Sequence, residues 1–263
     1  MVHLSRIAIT VTLAALVSSC TTQPNSHAPG DRDTPPDFEP IYTSSWSAEP
    51  GIDLLSREAE LIRATFESSW QTEMYSITNS FPGYREAIGY PHPSIQNIVR
   101  GADAGNTDWD QVSKHTIRYH ITELIETPTD ITASICDDIV YTETTTNDHI
   151  TRHGLSWTAS LHNTADTPGL PGIADTDRAN HDPRARRTPT WNVFGTWRIT
   201  HLIPQSLNLE KHVAEPACTA WWLANHPDTL KVDGNTTFRA AGVVPGTPLA
   251  PQFPEWIGPA EGR

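Results

Sequence analysis

The chain is 263 residues long, with 18 Lys+Arg against 31 Asp+Glu and a formal net charge of −13. That length fits one large domain or two small ones, with enough chain for a core that needs no metal or multiple disulfides. The acidic balance argues against a nucleic-acid partner, whose phosphates need clustered Lys and Arg, and 37% apolar residues with 22 prolines against 15 glycines point to much irregular chain.

At the N-terminus, Arg6 precedes an uncharged, largely apolar stretch over residues 7–17, followed by Ser18, Ser19 and Cys20. This is the layout of a secretory signal peptide, and the stretch is too short for a permanent membrane span. Val17-Ser18-Ser19-Cys20 resembles the lipobox of bacterial lipoproteins of the actinobacterial type. The resemblance implies cleavage between Ser19 and Cys20 and diacylglycerol on the Cys20 thiol. The protein would then be extracytoplasmic, held to the cell membrane by lipid on Cys20. The alternative is an ordinary secretory cleavage with Cys20 incidental. Arg6 is the only charge in 1–19, so its loss takes the net charge from −13 to −14. Residues 20–50 carry Pro24, Pro29, Pro35, Pro36, Pro40 and Pro50 among many Ser, Thr and Asp. Such composition cannot form a packed core and reads as a disordered, lipid-anchored stalk.

With Cys20 acylated, Cys136 and Cys218 remain. An even count in an oxidising compartment reads as one disulfide, the alternative being two buried thiols. Neither has a CxxC partner, so a zinc site is not expected.

An α+β domain is expected over 51–226. Leu55, Ala59, Ile62, Phe66, Trp70, Met74 and Ile77 form one apolar stripe at helical spacing. Asp53 or Ser56 would cap this helix, and Asn79, Ser80, Pro82 and Gly83 would end it. Tyr84 to Gly101 reads as a shorter helical or irregular piece, and Asp103 to Asp110 as turn. From Ser113 the period becomes two: Ile117, Tyr119, Ile121 and Glu123 share one parity. After a turn at Pro128-Thr129-Asp130, Ile131, Ala133, Ile135, Asp137, Ile139 and Tyr141 share another, which argues an antiparallel hairpin. Thr142 to Asp148 reads as a polar turn. Leu155, Trp157, Ala159 and Leu161 make a third strand. Residues 163–189 are a long loop insertion, functional or disordered. Trp191 to Ile203 restores the alternation around Gly195, Ala217 to Asn225 reads as a short helix, and 227–263 as a Pro/Gly-rich extension over the surface or trailing free.

A long N-terminal amphipathic helix packed on a curved antiparallel sheet of about four strands is thus expected, behind a signal peptide and stalk. The element order, with Gly195-Thr196-Trp197-Arg198-Ile199 and Ala133-Ser134-Ile135-Cys136-Asp137, resembles the nuclear-transport-factor-two-like, cystatin-type cone fold. That resemblance covers roughly 52–226 and implies a pocket between helix and sheet. The expected lining is Phe66, Trp70, Tyr119, Asp137, Trp157 and Trp197.

Catalytic signals are sparse. GxSxG, SxxK and phosphate-binding loops are absent from the sequence. His149-Ile150-Thr151-Arg152-His153 has i,i+4 spacing without the HExxH glutamate, in an expected turn, so no metal or cofactor is assigned. Parity would place Asp137 inside the cone near Tyr119 and His201, where a proton-transfer enzyme would use it; the preferred reading is that it caps the end of the paired region or bonds backbone near the disulfide. Arg178, Arg184, Arg186 and Arg187 are expected to pair with loop aspartates. The resulting expectation is a membrane-anchored, non-catalytic ligand-binding or envelope-associated protein. The alternatives are a small cone-fold enzyme using Asp137, or a protein–protein module of a cell-envelope or secretion complex.

Overall fold

The computed structural model describes residues 42–74, 77–89, 115–138, 141–144, 149–152, 155–165, 168–204, 216–227, 230–232, 237–239 and 248–259. The chain divides into units 1–35 and 36–263, and every described residue belongs to the second. The signal peptide and Cys20 lie outside the described residues, as do the stalk up to residue 41 and the segment from Tyr90 to Lys114.

In chain order the elements are β1 (Tyr42–Ala48), α1 (Arg57–Met74), a 3-10 turn (Ile77–Asn79), α2 (Tyr84–Ala87), β2 (His115–Glu126), β3 (Asp130–Asp138), β4 (Tyr141–Thr144) and β5 (His149–Arg152). There follow β6 (Ser156–Asn163), β7 (Ala185–Arg186), β8 (Trp197–Pro204), α3 (Pro216–Asn225), β9 (Leu230–Val232), β10 (Thr237–Arg239) and β11 (Trp256–Ile257). The main sheet has five strands in the order β1-β2-β3-β6-β8, antiparallel except for the parallel β1–β2 pair. The fold is therefore mixed α+β with a mostly antiparallel sheet. Its fifth strand, β1, lies inside the 20–50 segment expected to be stalk. A parallel neighbour needs a crossover connection, and α1 lies within the one between β1 and β2.

The β2–β3 hairpin forms where alternation places it. Ile117, Tyr119 and Ile121 face Ile131, Ala133 and Ile135 in one buried cluster. Thr127 closes its turn, its hydroxyl accepting from the Asp130 amide at 2.9 Å. A register shift between Ile121 and Glu123 reverses the parity that the alternation predicts. Glu123 becomes exposed and Leu124 returns toward the core, which is what one unpaired strand residue does to every side chain after it. Two further expectations are corrected. β3 is Asp130–Asp138, and Tyr141, expected on the same strand, belongs to β4. Thr142–Thr144, expected as turn, belong with Tyr141 to a strand that pairs with His149–Arg152 as a separate two-stranded ribbon.

Ser56 is the N-cap of α1, its hydroxyl accepting from the Ala59 amide at 3.2 Å, while Asp53 accepts from the Leu55 amide just upstream. Ala59, Ile62 and Phe66 of the expected stripe are buried, and so are Leu61, Ala64, Thr65, Ser68, Ser69 and Thr72. Buried hydroxyls on this helix bond back one turn, Thr65 to the Leu61 carbonyl and Thr72 to the Ser68 carbonyl. The helix is covered all round because two irregular segments close over its charged side.

The first of these segments is the long loop. Arg57 donates to the Pro168 carbonyl at 2.8 Å and also to the Val193 carbonyl, and the Gly172 amide donates to Glu60 at 2.7 Å. Gly169 has φ +81°, and a Cβ there would lie 2.4 Å from the Val193 carbonyl oxygen, so only glycine fits. Trp191, Val193 and Phe194 belong to the core. The second segment is 248–259, from the stretch expected to wrap the surface or trail free. The Trp46 amide donates to the Phe253 carbonyl at 2.8 Å, the Phe253 amide donates to the Ser44 carbonyl at 3.0 Å, and β11 pairs with β7. Trp256 and Ile257 are buried. The packed body thus extends beyond 51–226 at both ends.

On the other face of the sheet, α3 is fixed by a disulfide between Cys136 and Cys218, whose Cα atoms are 5.3 Å apart. The bridge spans 82 residues, so in the chain-entropy model it stabilises the fold by about 4–5 kcal/mol. Replacing both cysteines by serine should lower stability by that order in chemical denaturation. An unchanged midpoint would show that the reduced, unfolded chain is equally constrained.

Candidate functional site

Asp137 stands opposite Tyr119 in the β2–β3 register and is buried. One carboxylate oxygen accepts from the Leu155 amide at 2.6 Å and the other from the Trp157 indole at 2.7 Å. Its own carbonyl accepts from the Trp222 indole at 2.7 Å. Around it the expected pocket residues contact one another. Tyr119 stacks on Trp46 with centroids 4.3 Å apart, and Phe66 meets Tyr119 and Trp157 edge-on at 5.7 and 5.8 Å. Phe66, Tyr119, Asp137 and Trp157 are therefore brought together. Trp70 lies one helical turn beyond, edge-on to Tyr42 at 6.2 Å. Trp197 is paired with Asn163, at the opposite end of the β6–β8 ladder from Trp157. His201 faces Ser160 on β8, two strands from β3.

A second polar centre, not singled out from the sequence, sits on the charged side of α1. Glu67 is fully enclosed, and its two oxygens accept from the Trp46 indole at 2.8 Å and the Trp256 indole at 2.7 Å. Arg63 is buried beside it, its guanidinium 4.8 Å from the Trp256 ring centroid. Burial raises the Glu67 carboxyl from its usual 4.5 to about 7, while Arg63 and the two indole donors pull it down. The signal for this centre was available: Arg57, Glu60, Arg63 and Glu67 recur at helical spacing, a charged stripe beside the apolar one. What was not available was the partner, because Trp256 arrives from 189 residues away.

The sheet face turned away from α1 holds a third centre. Ser47 on β1 lies opposite His120 on β2, with Ser47 Oγ 2.9 Å from His120 Nδ1. His120 Nε2 is 3.2 Å from Glu49 Oε1. The Trp221 ring of α3 stacks on the imidazole at 5.2 Å and 10°. Asp138, next to Asp137 but on this opposite face, accepts from Arg118 and lies 2.9 Å from His226 Nε2. No nucleophile was assigned from the sequence. Ser47 and Glu49 fall in the segment read as stalk, and a parallel partner strand 73 residues away leaves no local motif.

Among the described residues, Arg184 of the loop arginines pairs with a loop aspartate, Asp182, at 2.7 and 3.0 Å. That contact holds the Asp182 carboxyl at about 2. Arg178 lies over the Phe253 ring and Arg187 over the Tyr42 ring, so an expected surface ion cluster is partly a set of cation–aromatic contacts. Among the described residues no group of three His, Cys, Asp or Glu is placed to hold a metal.

The Glu67 shift has a definite sign. The folded state holds a proton on Glu67 up to about pH 7, whereas the unfolded chain releases it near 4.5. The associated stability is complete below 4.5 and is lost as pH rises through 7. The thermal midpoint should therefore fall between about pH 4.5 and 7, and this slope should flatten in Glu67→Gln; identical slopes would remove Glu67 from the account. No protein-family model, curated protein or solved structure matches the chain.

Proposed function

We propose that the protein is an extracytoplasmic lipoprotein, anchored through diacylated Cys20, whose folded body binds a small ligand or an envelope partner. The observation that carries this reading is the buried Cys136–Cys218 disulfide. A bridge of this kind belongs to an oxidising compartment, which agrees with the signal-peptide layout and leaves Cys20 as the one cysteine available for acylation. The finer architecture we read as a cone, with α1 lying along a curved sheet. The shared core of Ile62 and Phe66 with Ile117, Tyr119 and Ile135 supports that reading.

Binding is favoured over proton transfer by Asp137. Both of its oxygens already accept an N–H, from Leu155 and from Trp157. A carboxylate so held tethers the β3–β6 junction. An envelope protein partner fits the same placement, since a tethered domain meets its neighbours in two dimensions.

Mass spectrometry of the mature N-terminus from membrane fractions tests the anchor. The expected product begins at Cys20 and carries diacylglycerol, and Cys20→Ala should abolish the modification and the membrane retention. A mature chain beginning at an unmodified residue other than Cys20 would overturn the proposal.

A further inference from the structure

We infer that Ser47, His120 and Glu49 form a nucleophilic serine site that takes carboxylic esters. It lies on the sheet face opposite α1, so it goes beyond the binding role proposed for the interior and does not depend on the lipid anchor. The three groups form one hydrogen-bonded line, hydroxyl to imidazole at 2.9 Å and imidazole to carboxylate at 3.2 Å. A serine–histidine pair that merely joined β1 to β2 would need neither the third member nor a fixed ring.

The tautomer follows from the line itself. The Glu49 carboxylate can only accept, so it selects the form with hydrogen on Nε2. Nδ1 then presents a lone pair to Ser47. The Ser47 proton has two acceptors, Nδ1 at 2.9 Å and the Tyr119 carbonyl at 3.2 Å, and the imidazole is the nearer. A base that holds the hydroxyl proton and a carboxylate that orients the base are the two requirements of an activated serine. These roles are recognised by geometry, and here the two ring nitrogens are exchanged relative to the usual serine-hydrolase arrangement.

Ring orientation is enforced from outside the strand pair. Trp221 stacks on His120 at 10°, and α3 is held in place by Cys218 on Cys136 and by the Trp222 indole on the Asp137 carbonyl. The His120 side chain is only 8% exposed, Glu49 is 43% exposed, and Ser47 is half-buried. The base is more enclosed than the half-buried serine beside it.

The reaction these atoms support is acyl transfer. Ser47 Oγ forms a bond to the ester carbonyl carbon and its proton passes to His120 Nδ1. The ester C–O bond breaks, and the departing oxygen takes that proton. Water then cleaves the acyl-serine by the same exchange, restoring Ser47 and releasing the acid.

The purified full-length chain should be treated with a fluorophosphonate probe, which forms an Oγ–P bond and loses fluoride, and the adduct mapped by mass spectrometry. The expected result is an adduct on Ser47, absent in Ser47→Ala. Labelling should be slowed about 100-fold or more in His120→Gln, and less in Glu49→Gln. Turnover of p-nitrophenyl acetate should fall in parallel. The inference is overturned if the unaltered chain carries no adduct on Ser47, wherever else the probe reacts. It is also overturned if His120→Gln, with an unchanged thermal midpoint, labels at the original rate. Should His120→Gln fail to fold, the map of the unaltered chain decides. Failure of Ser47 labelling leaves acylation of Cys20 untouched, and the reverse is equally true.

Discussion

The carboxylate of Glu67 accepting two indole N–H groups is the interaction on which the body of the protein depends. Trp46 brings the first strand of the sheet, Glu67 the long helix, and Trp256 the segment that closes over that helix. Trp256 lies 189 residues beyond Glu67 and Trp46 lies 21 before it, and the carboxylate is where they meet. Enclosing an acidic group is costly unless its lone pairs are satisfied. Here two strong donors and a neighbouring guanidinium supply that satisfaction, and the residual cost appears as the raised carboxyl pKa. The geometry is demanding: two tryptophans must present their N–H edges to one group, which favours a single arrangement of the three segments.

Seen from the sheet, the molecule has two chemically different faces. Toward α1 it offers Ile, Ala, Tyr and Trp, which pack as a continuous aromatic and aliphatic interior. Away from α1 it offers hydroxyls, histidines and charges. Thr132 bonds Ser160, Thr200 bonds the Ser160 carbonyl, and Ser47 bonds His120. Helix α3 covers only part of that second face, pinned by the disulfide. A pair of adjacent aspartates illustrates the division. Asp137 binds the Leu155 amide and Trp157 indole on one side, and Asp138 binds Arg118 on the other, as strand alternation requires.

Much of this was legible in the sequence because it is local. The period of two in 117–121 and 131–137, the turn at Pro128-Thr129-Asp130 and the apolar stripe from Ala59 to Phe66 each write a strand, a turn or a helix face within one short window. The Thr122 irregularity was not legible, since nothing in an alternating run marks which residue is left unpaired. Nor was β1, whose Ser- and Thr-rich sequence between prolines looks solvated until Trp46 finds Tyr119 and Glu67. The loop arginines divide for a related reason: Arg184 finds Asp182 two residues away, as expected. Charge alone suggests ion pairs, but Arg178 and Arg187 lie over the rings of Phe253 and Tyr42, which are distant in the chain. Of the residues expected to line a pocket, Phe66, Tyr119, Asp137 and Trp157 contact one another in the folded body. Trp197 shares their chemistry and lies at the other end of its strand pair.

The pairing of Phe253 with Ser44 and Trp46 also sets the order in which the molecule can be assembled. A strand near one end of the body is bordered by a segment near the other, so the free edge of β1 stays open until residue 253 is present. A chain emerging from its N-terminus can form the β2–β3 hairpin early, because that contact is local. It cannot bury the charged side of α1 until Trp256 arrives. The closing contact is one of long sequence separation, so it costs more chain entropy to form than the local hairpin does.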